Sequence, residues 1–327
     1  MRAAILSLAM VSSVGADPQR GVALGLFGED SGWSYRPLLE EIRALGANHV
    51  ELVVAWYLED GQATEVYEHP RFSAPAEAIA RAIGDAHALG LKVLLFPILR
   101  LEHPKGDEWR GTLRPRDRGA LFTSYGRALI ELARLAERER AEQFSVGSEL
   151  STLDGDRPAW SALIARVRAV YRGPLIYSGN WDHFDQVAFY DQLDFVGVCG
   201  YFALADQRSR ATDEDLVQAW RRRRAELTAF AQRIGRPLVL TEVGYLSQRG
   251  AAAWPWAEGA HEPVDLEEQR RCYAAFRRAW RWAGAPFAGV YFWNWYGWGG
   301  VGSRGYTPRG KPAEREIRQY FRFGTRL

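Results

Sequence analysis

The chain has 327 residues, of which 25% are charged and 47% hydrophobic, and its 42 Lys and Arg nearly balance 40 Asp and Glu. A net charge of +2 makes no field strong enough to hold nucleic acid or an anionic membrane surface, so a neutral partner is expected. The length fits two average domains, or one barrel of alternating strands and helices.

Aromatic residues make up 13% of the chain, with 13 Trp against 2 Met, a composition rich in flat faces that stack on sugars or planar ligands. An aromatic-rich core is the alternative for any single Trp. Arg2 precedes an apolar run over residues 3–14, and Val14-Gly15-Ala16 offers small residues before a cleavage point. This predicts a signal peptide over residues 1–16, a secreted or periplasmic protein, and a single domain over 17–327. The run is too short to span a bilayer, which takes about 20 apolar residues. Cys199 and Cys272 have no metal-type spacing and read as two buried thiols.

From residue 21 onward, strand-length apolar runs alternate with segments of helical period, as in a parallel sheet covered by helices. Strands are expected at 21–27, 49–56, 91–99, 143–148, 174–178, 193–201, 237–241 and 287–293. Helices are expected at 37–45, 74–89, 118–139, 158–171, 213–234 and 266–282, with a short helical piece at 184–190 and a last helix starting near Pro312. The charge run from Arg221 to Arg224 reads as a solvated helix face. Eight strand and helix pairs predict an α/β fold, the closed (β/α)8 TIM barrel. An open doubly wound sheet is the rival, but it needs a phosphate loop after the first strand, and Gly25-Leu-Phe-Gly28 is not one.

Function in such barrels sits at the C-terminal strand ends. Those ends deliver Glu29 and Asp30, Trp56, Arg100 and Glu102, Glu149, Asn180 and Trp181, Tyr201, Glu242, and Trp293 with Asn294. The result is a bowl with aromatic walls and carboxylates at its centre. Strands four and seven face each other across the barrel, so Glu149 and Glu242 can form the acid and carboxylate pair that glycoside hydrolysis requires. The bland alternative is that each glutamate salt-bridges an arginine at the rim.

Ser148-Glu149 ending strand four and Thr241-Glu242-Val-Gly-Tyr245 ending strand seven resemble the large clan of retaining β-glycosidases. Together with Gly147-Ser-Glu149-Leu150, the segments Ser178-Gly-Asn180-Trp181-Asp182 and Val290-Tyr-Phe-Trp293-Asn-Trp295 narrow the likeness. They are similar to glycoside hydrolase family 113, known for endo-β-1,4-mannanases, over residues 21–321. The resemblance implies Glu149 as general acid/base, Glu242 as nucleophile, a β-linked oligo- or polysaccharide substrate and no cofactor. It departs from the wider clan at Ser148, where an Asn usually contacts the sugar 2-hydroxyl; Asn180 is the candidate to replace that contact.

Chemistry suggests further substrate-binding roles. Tyr201 is placed to hydrogen-bond the nucleophile and Trp293 to form the floor under the reacting sugar, while Trp181, Trp56 and Arg100 join the wall. Core packing is the alternative for each aromatic. Arg100, Glu102, Trp109 and Arg110 suit outer subsites or a loop salt bridge, Asp182 and His183 suit a loop hydrogen-bond pair, and Trp254 and Trp256 occupy the long loop after strand seven. The glycine-rich segments over 300–311 imitate nucleotide-binding fingerprints in letters only and read as a flexible loop. No His pair has metal spacing. Two other functions stay open, a retaining enzyme on another β-glycan (exo-mannosidase or glucanase) and a barrel that binds glycans without cutting them. A phosphate-handling barrel would need an anion nest near strands seven and eight.

Overall fold

The computed structural model describes residues 17–323 except 29, 31, 207–210, 259–261, 282 and 298. The expected signal peptide and Glu29 therefore lie outside the described residues. Eight parallel strands close into a barrel in sequence order, β1 pairing with both β2 and β8. They are β1 (Gln19–Gly25), β2 (His49–Leu58), β3 (Lys92–Leu101), β4 (Gln143–Ser148), β5 (Leu175–Gly179), β6 (Phe195–Cys199), β7 (Leu238–Val243) and β8 (Phe287–Phe292).

The helices are α1 (Arg36–Ala44), α2 (Ala76–Ala88), α3 (Arg118–Glu139), α4 (Arg157–Arg168), α5 (Asp213–Ile234), α6 (Leu266–Trp280) and α7 (Pro312–Phe323). Between β5 and β6 only two 3-10 turns, Phe184–Gln186 and Tyr190–Gln192, replace the short helical piece expected there. Local chemistry fixes several boundaries. Thr212 caps α5 through a reciprocal bond with Asp215, and Gly235 ends it in the left-handed region at φ 73, where a Cβ would be strained. Arg221 and Arg223 pair with Glu214 and Glu226 on the outer face of α5, as the charge run suggested.

Because side chains alternate along a strand, one set points into the barrel and the other toward the helices. Ala23, Val53, Ala55, Leu94, Phe96, Ile176, Val239 and Tyr291 fill the interior, and a larger cluster forms the layer between strands and helices. Trp56 belongs to that outer layer. It is 4% exposed and meets Tyr125 of α3 edge to face at 6.4 Å. The expectation that Trp56 lines the substrate bowl is therefore corrected: β2 turns Val53, Ala55 and Tyr57 inward and Trp56 away.

The glycine-rich loop before α7 is also corrected. Instead of hanging free, it is tied down by Lys311, whose Nζ donates to Ser247 Oγ at 2.7 Å and to the carbonyl of Gly305 at 2.9 Å. Burial pushes the Lys311 ammonium down to about 8. Among the described residues, no helix is long and apolar enough to cross a membrane.

Candidate active site

A cavity of about 560 Å³ opens at the C-terminal ends of the strands. Its wall includes Arg100, Arg110, Glu149, Asn180, Trp181, Tyr201, Glu242 and Trp293, whereas Trp56 and Glu102, also considered for substrate contact from sequence, are not part of it. Phe27, Ile98, Trp109, Asp182, Trp256, Glu258 and Tyr306 complete it.

β4 ends in an irregularity of register against β5, and Glu149 just beyond it adopts φ 54, a left-handed conformation costly for a residue with a Cβ. Neighbours hold it there. The Glu149 N–H donates to the carbonyl of Ser178 at 2.8 Å, and the next N–H, of Leu150, donates to the Tyr177 hydroxyl at 2.8 Å. Tyr177 in turn donates to Asp154, a carboxyl that burial pushes up to about 6. The strained turn thus aims the Glu149 carboxylate into the cavity from a braced support.

Glu242 sits one residue before the end of β7 and is 1% exposed. Tyr201 donates its hydroxyl to Oε2 of Glu242 at 2.8 Å, as expected, and the Cys199 thiol approaches Oε1 at 3.3 Å. The carboxylate oxygens of Glu149 and Glu242 come within 4.8 Å of one another. Burial, and next the charge of Glu149, raise Glu242 to about 7, although Arg110, Tyr201 and Cys199 all favour its ionised form. The pair therefore retains a proton close to neutrality, as two carboxylates sharing a low-dielectric site must.

Arg110 is the residue whose part the sequence conceals. Its Nη2 donates to Oε2 of Glu149 from the loop between β3 and α3, so one arm of the bland alternative, a glutamate paired with an arginine, is also present. Burial works against the guanidinium charge, but Glu149 and then Glu242 outweigh it and hold Arg110 firmly protonated. Glu149, Cys199 and Glu242 place three metal-capable atoms within 4.8 Å, yet the Arg110 cation already lies against this cluster.

Asn180 is 5% exposed and donates to Asp182 at 2.8 Å, and Asp182 also contacts His183 at 2.7 Å, so the predicted loop pair exists and extends to Asn180. Trp181 and Trp256 stack with ring centres 4.7 Å apart and planes 14° apart, forming one aromatic wall from two loops. Trp254 is 38% exposed and lies outside the cavity lining. Arg100 covers the Phe27 ring at 5.4 Å, whereas Glu102 is engaged by Tyr67 and His69. Ser148 points to the Cys199 sulfur at 3.9 Å and does not line the cavity.

Residues missed from sequence come from loops or from apolar runs. Tyr306 arrives on the glycine loop and bonds the carbonyl of Pro255 at 2.7 Å. Glu51 lies inside the barrel, fully buried, with neither oxygen hydrogen-bonded among the described residues. Its signal was visible, a single carboxylate within the apolar run of β2.

Comparison with known proteins bears on this arrangement. No curated protein matches the chain. Among solved structures, a family 113 β-mannanase from Alicyclobacillus acidocaldarius, in complex with ManMIm, is 28% identical with a TM-score of 0.84, covering 95% of this chain and 99% of that one. A β-1,4-mannanase of the same family is 23% identical with a TM-score of 0.83, over 95% and 100% of the two chains. An endo-β-1,4-mannanase from Thermotoga petrophila shares the fold at 15% identity and a TM-score of 0.62, over 95% and 78%. The family model of Glycoside Hydrolase Family 113 matches residues 27–298, a span that begins at the cavity residue Phe27 and takes in both glutamates. With this match over most of its length, the chain belongs to glycoside hydrolase family 113.

Proposed function

We propose that the protein is a retaining β-mannanase that cuts β-1,4-linked mannan, with Glu149 as general acid/base and Glu242 as nucleophile. One observation carries the reading. The glutamate oxygens lie within 4.8 Å of each other, near the about 5–5.5 Å of double displacement and well short of the roughly 6.5–9.5 Å that leaves room for water in inversion. The mannan assignment is supported by the 28% identical β-mannanase.

In the first step Glu242 attacks the anomeric carbon while Glu149 gives its proton to the departing glycosidic oxygen. In the second, Glu149 takes a proton from water, and the resulting hydroxide displaces Glu242. Tyr201 orients the nucleophile through its 2.8 Å bond, Trp293 supplies an apolar platform, and Asn180 stands where a sugar hydroxyl can be met. Trp181 and Arg100 contact neighbouring units.

Incubation with β-1,4-mannan, β-glucan and xylan, followed by chromatography of the products, tests the assignment. Manno-oligosaccharides from mannan are expected. Binding without cleavage of all three would make the barrel a glycan-binding protein, and cleavage of glucan or xylan alone would move the substrate. Residues 1–16 belong to the same reading as an export signal toward an external polymer, and N-terminal sequencing of the mature protein checks it.

A further inference from the structure

Among the described residues, only Glu149 and Arg140 combine a Cβ with a left-handed backbone. Arg140 ends α3, where a helix often passes through that region. Glu149, at φ 54, lines the cavity instead, and its conformation persists only if its neighbours hold it. The next N–H, of Leu150, is held by the Tyr177 hydroxyl at 2.8 Å. Tyr177 is fully buried, its ring centre 5.2 Å from that of Trp160 and 5.0 Å from that of Phe189, so the hydroxyl cannot swing aside.

A phenolic hydroxyl has one proton, and the direction of that proton decides where its lone pairs point. Asp154 Oδ1 takes the proton of Tyr177, which turns a lone pair toward the Leu150 N–H. A carboxyl partner also polarises the hydroxyl and makes it the stronger acceptor. Asp154 is 0% exposed, and its Oδ2 has no hydrogen-bond partner among the described residues. A neutral side chain could accept the same proton without leaving a buried carboxyl oxygen bare, which is costly. The carboxyl therefore asks for a role beyond closing the loop after β4.

We propose that Asp154 is a positioning residue for the acid/base: through the Tyr177 hydroxyl it fixes the Leu150 N–H, and with it the angle at which the Glu149 carboxyl meets the glycosidic oxygen. The inference rests on the proposed function, in which Glu149 is the acid. Asp154 and Tyr177 do not line the cavity, so they act through Glu149 alone. The nucleophile takes its bonds from elsewhere, from Cys199 at the end of β6 and Tyr201 just beyond it. Loss of the brace should therefore impair protonation of the leaving group and spare the attack by Glu242.

The test compares two substrates of equal length, a β-1,4-manno-oligosaccharide and a 2,4-dinitrophenyl β-manno-oligoside. The sugar oxygen of the first needs a proton in order to leave, whereas dinitrophenolate leaves without one. The readout is the ratio of the two kcat/KM values, in which any loss of active protein cancels. Glu149→Gln sets the scale: its kcat/KM should fall roughly 10²–10⁴-fold on the oligosaccharide and little on the aryl substrate. Tyr177→Phe, which removes only a hydroxyl, and Asp154→Ala should lose about 10–100-fold on the oligosaccharide and less than about threefold on the aryl substrate. Asp154→Asn, which keeps an acceptor for the hydroxyl, should lose less than Asp154→Ala. Equal losses on both substrates in Y177F and D154A, or no loss on either, would overturn the assignment. An E149Q protein with the wild-type ratio, or a wild type that cuts no β-mannoside, would instead remove the proposed function.

Discussion

The barrel holds carboxylates in two contrasting settings. At the mouth, Glu149 and Glu242 are nearly inaccessible yet amply partnered, by Arg110, Tyr201 and Cys199. Nearer the N-terminal ends of the strands, Glu51 is sealed in register with Ala23 and Leu94, with no hydrogen bond to either oxygen among the described residues. Burial and then the charge of Glu242 hold Glu51 well above the ordinary carboxylate range. A partnered pair that lines an open cavity can exchange protons with a substrate. A sealed acid can only stay neutral, and it adds a cost whenever pH forces it to ionise.

Breaking the first setting should have the largest effect. Glu242→Ala removes the nucleophile, so kcat should fall by about 10⁴-fold or more, and added azide should restore turnover with an α-glycosyl azide as product, identified by NMR. Tyr201→Phe deletes one donor to a charged oxygen, and kcat should drop about 10–100-fold. The lost donor favoured the carboxylate form, so the acidic limb of the rate profile should also move to higher pH.

Two tryptophans sharpen the comparison between mouth and packing layer. Trp293→Ala should weaken turnover and binding about tenfold by removing the sugar platform, whereas Trp56→Leu should leave KM alone and lower the melting midpoint by cutting into the contact with Tyr125. Kinetics and calorimetry on both variants separate the roles.

Stability against pH gives the smaller effects. Glu242 binds a proton more tightly folded than unfolded, so its stabilising contribution is full below the ordinary value of 4.5 and declines as pH rises to about 7. Glu242→Gln should therefore raise the melting midpoint on the order of 5 °C at pH 8, with the gain shrinking toward pH 4.5. Glu51→Gln should show the same sign with activity close to wild type, its gain setting in only at more alkaline pH because Glu51 is raised well above its ordinary value.

Much of this molecule was legible in its sequence because the barrel writes itself as alternating apolar runs and capped helices. Glu242 stood out since an apolar strand rarely ends in a carboxylate, and β4 and β7 begin where expected to within one residue. Trp56 misled because a strand end says nothing of facing, and one step along β2 exchanges barrel interior for helix layer. Arg110 and Tyr306 were hard to place because loops carry them, and loop geometry depends on distant anchors such as the Lys311 contact with Ser247. Cys199 was read correctly as a buried thiol, but its approach to Glu242 depends on the pairing of β6 with β7.

The most direct test of the central claim is the anomeric configuration of the sugar first released from a β-linked manno-oligosaccharide, followed by proton NMR before mutarotation. Two glutamates within 4.8 Å predict the β-anomer as initial product. Initial release of the α-anomer would contradict double displacement through Glu149 and Glu242.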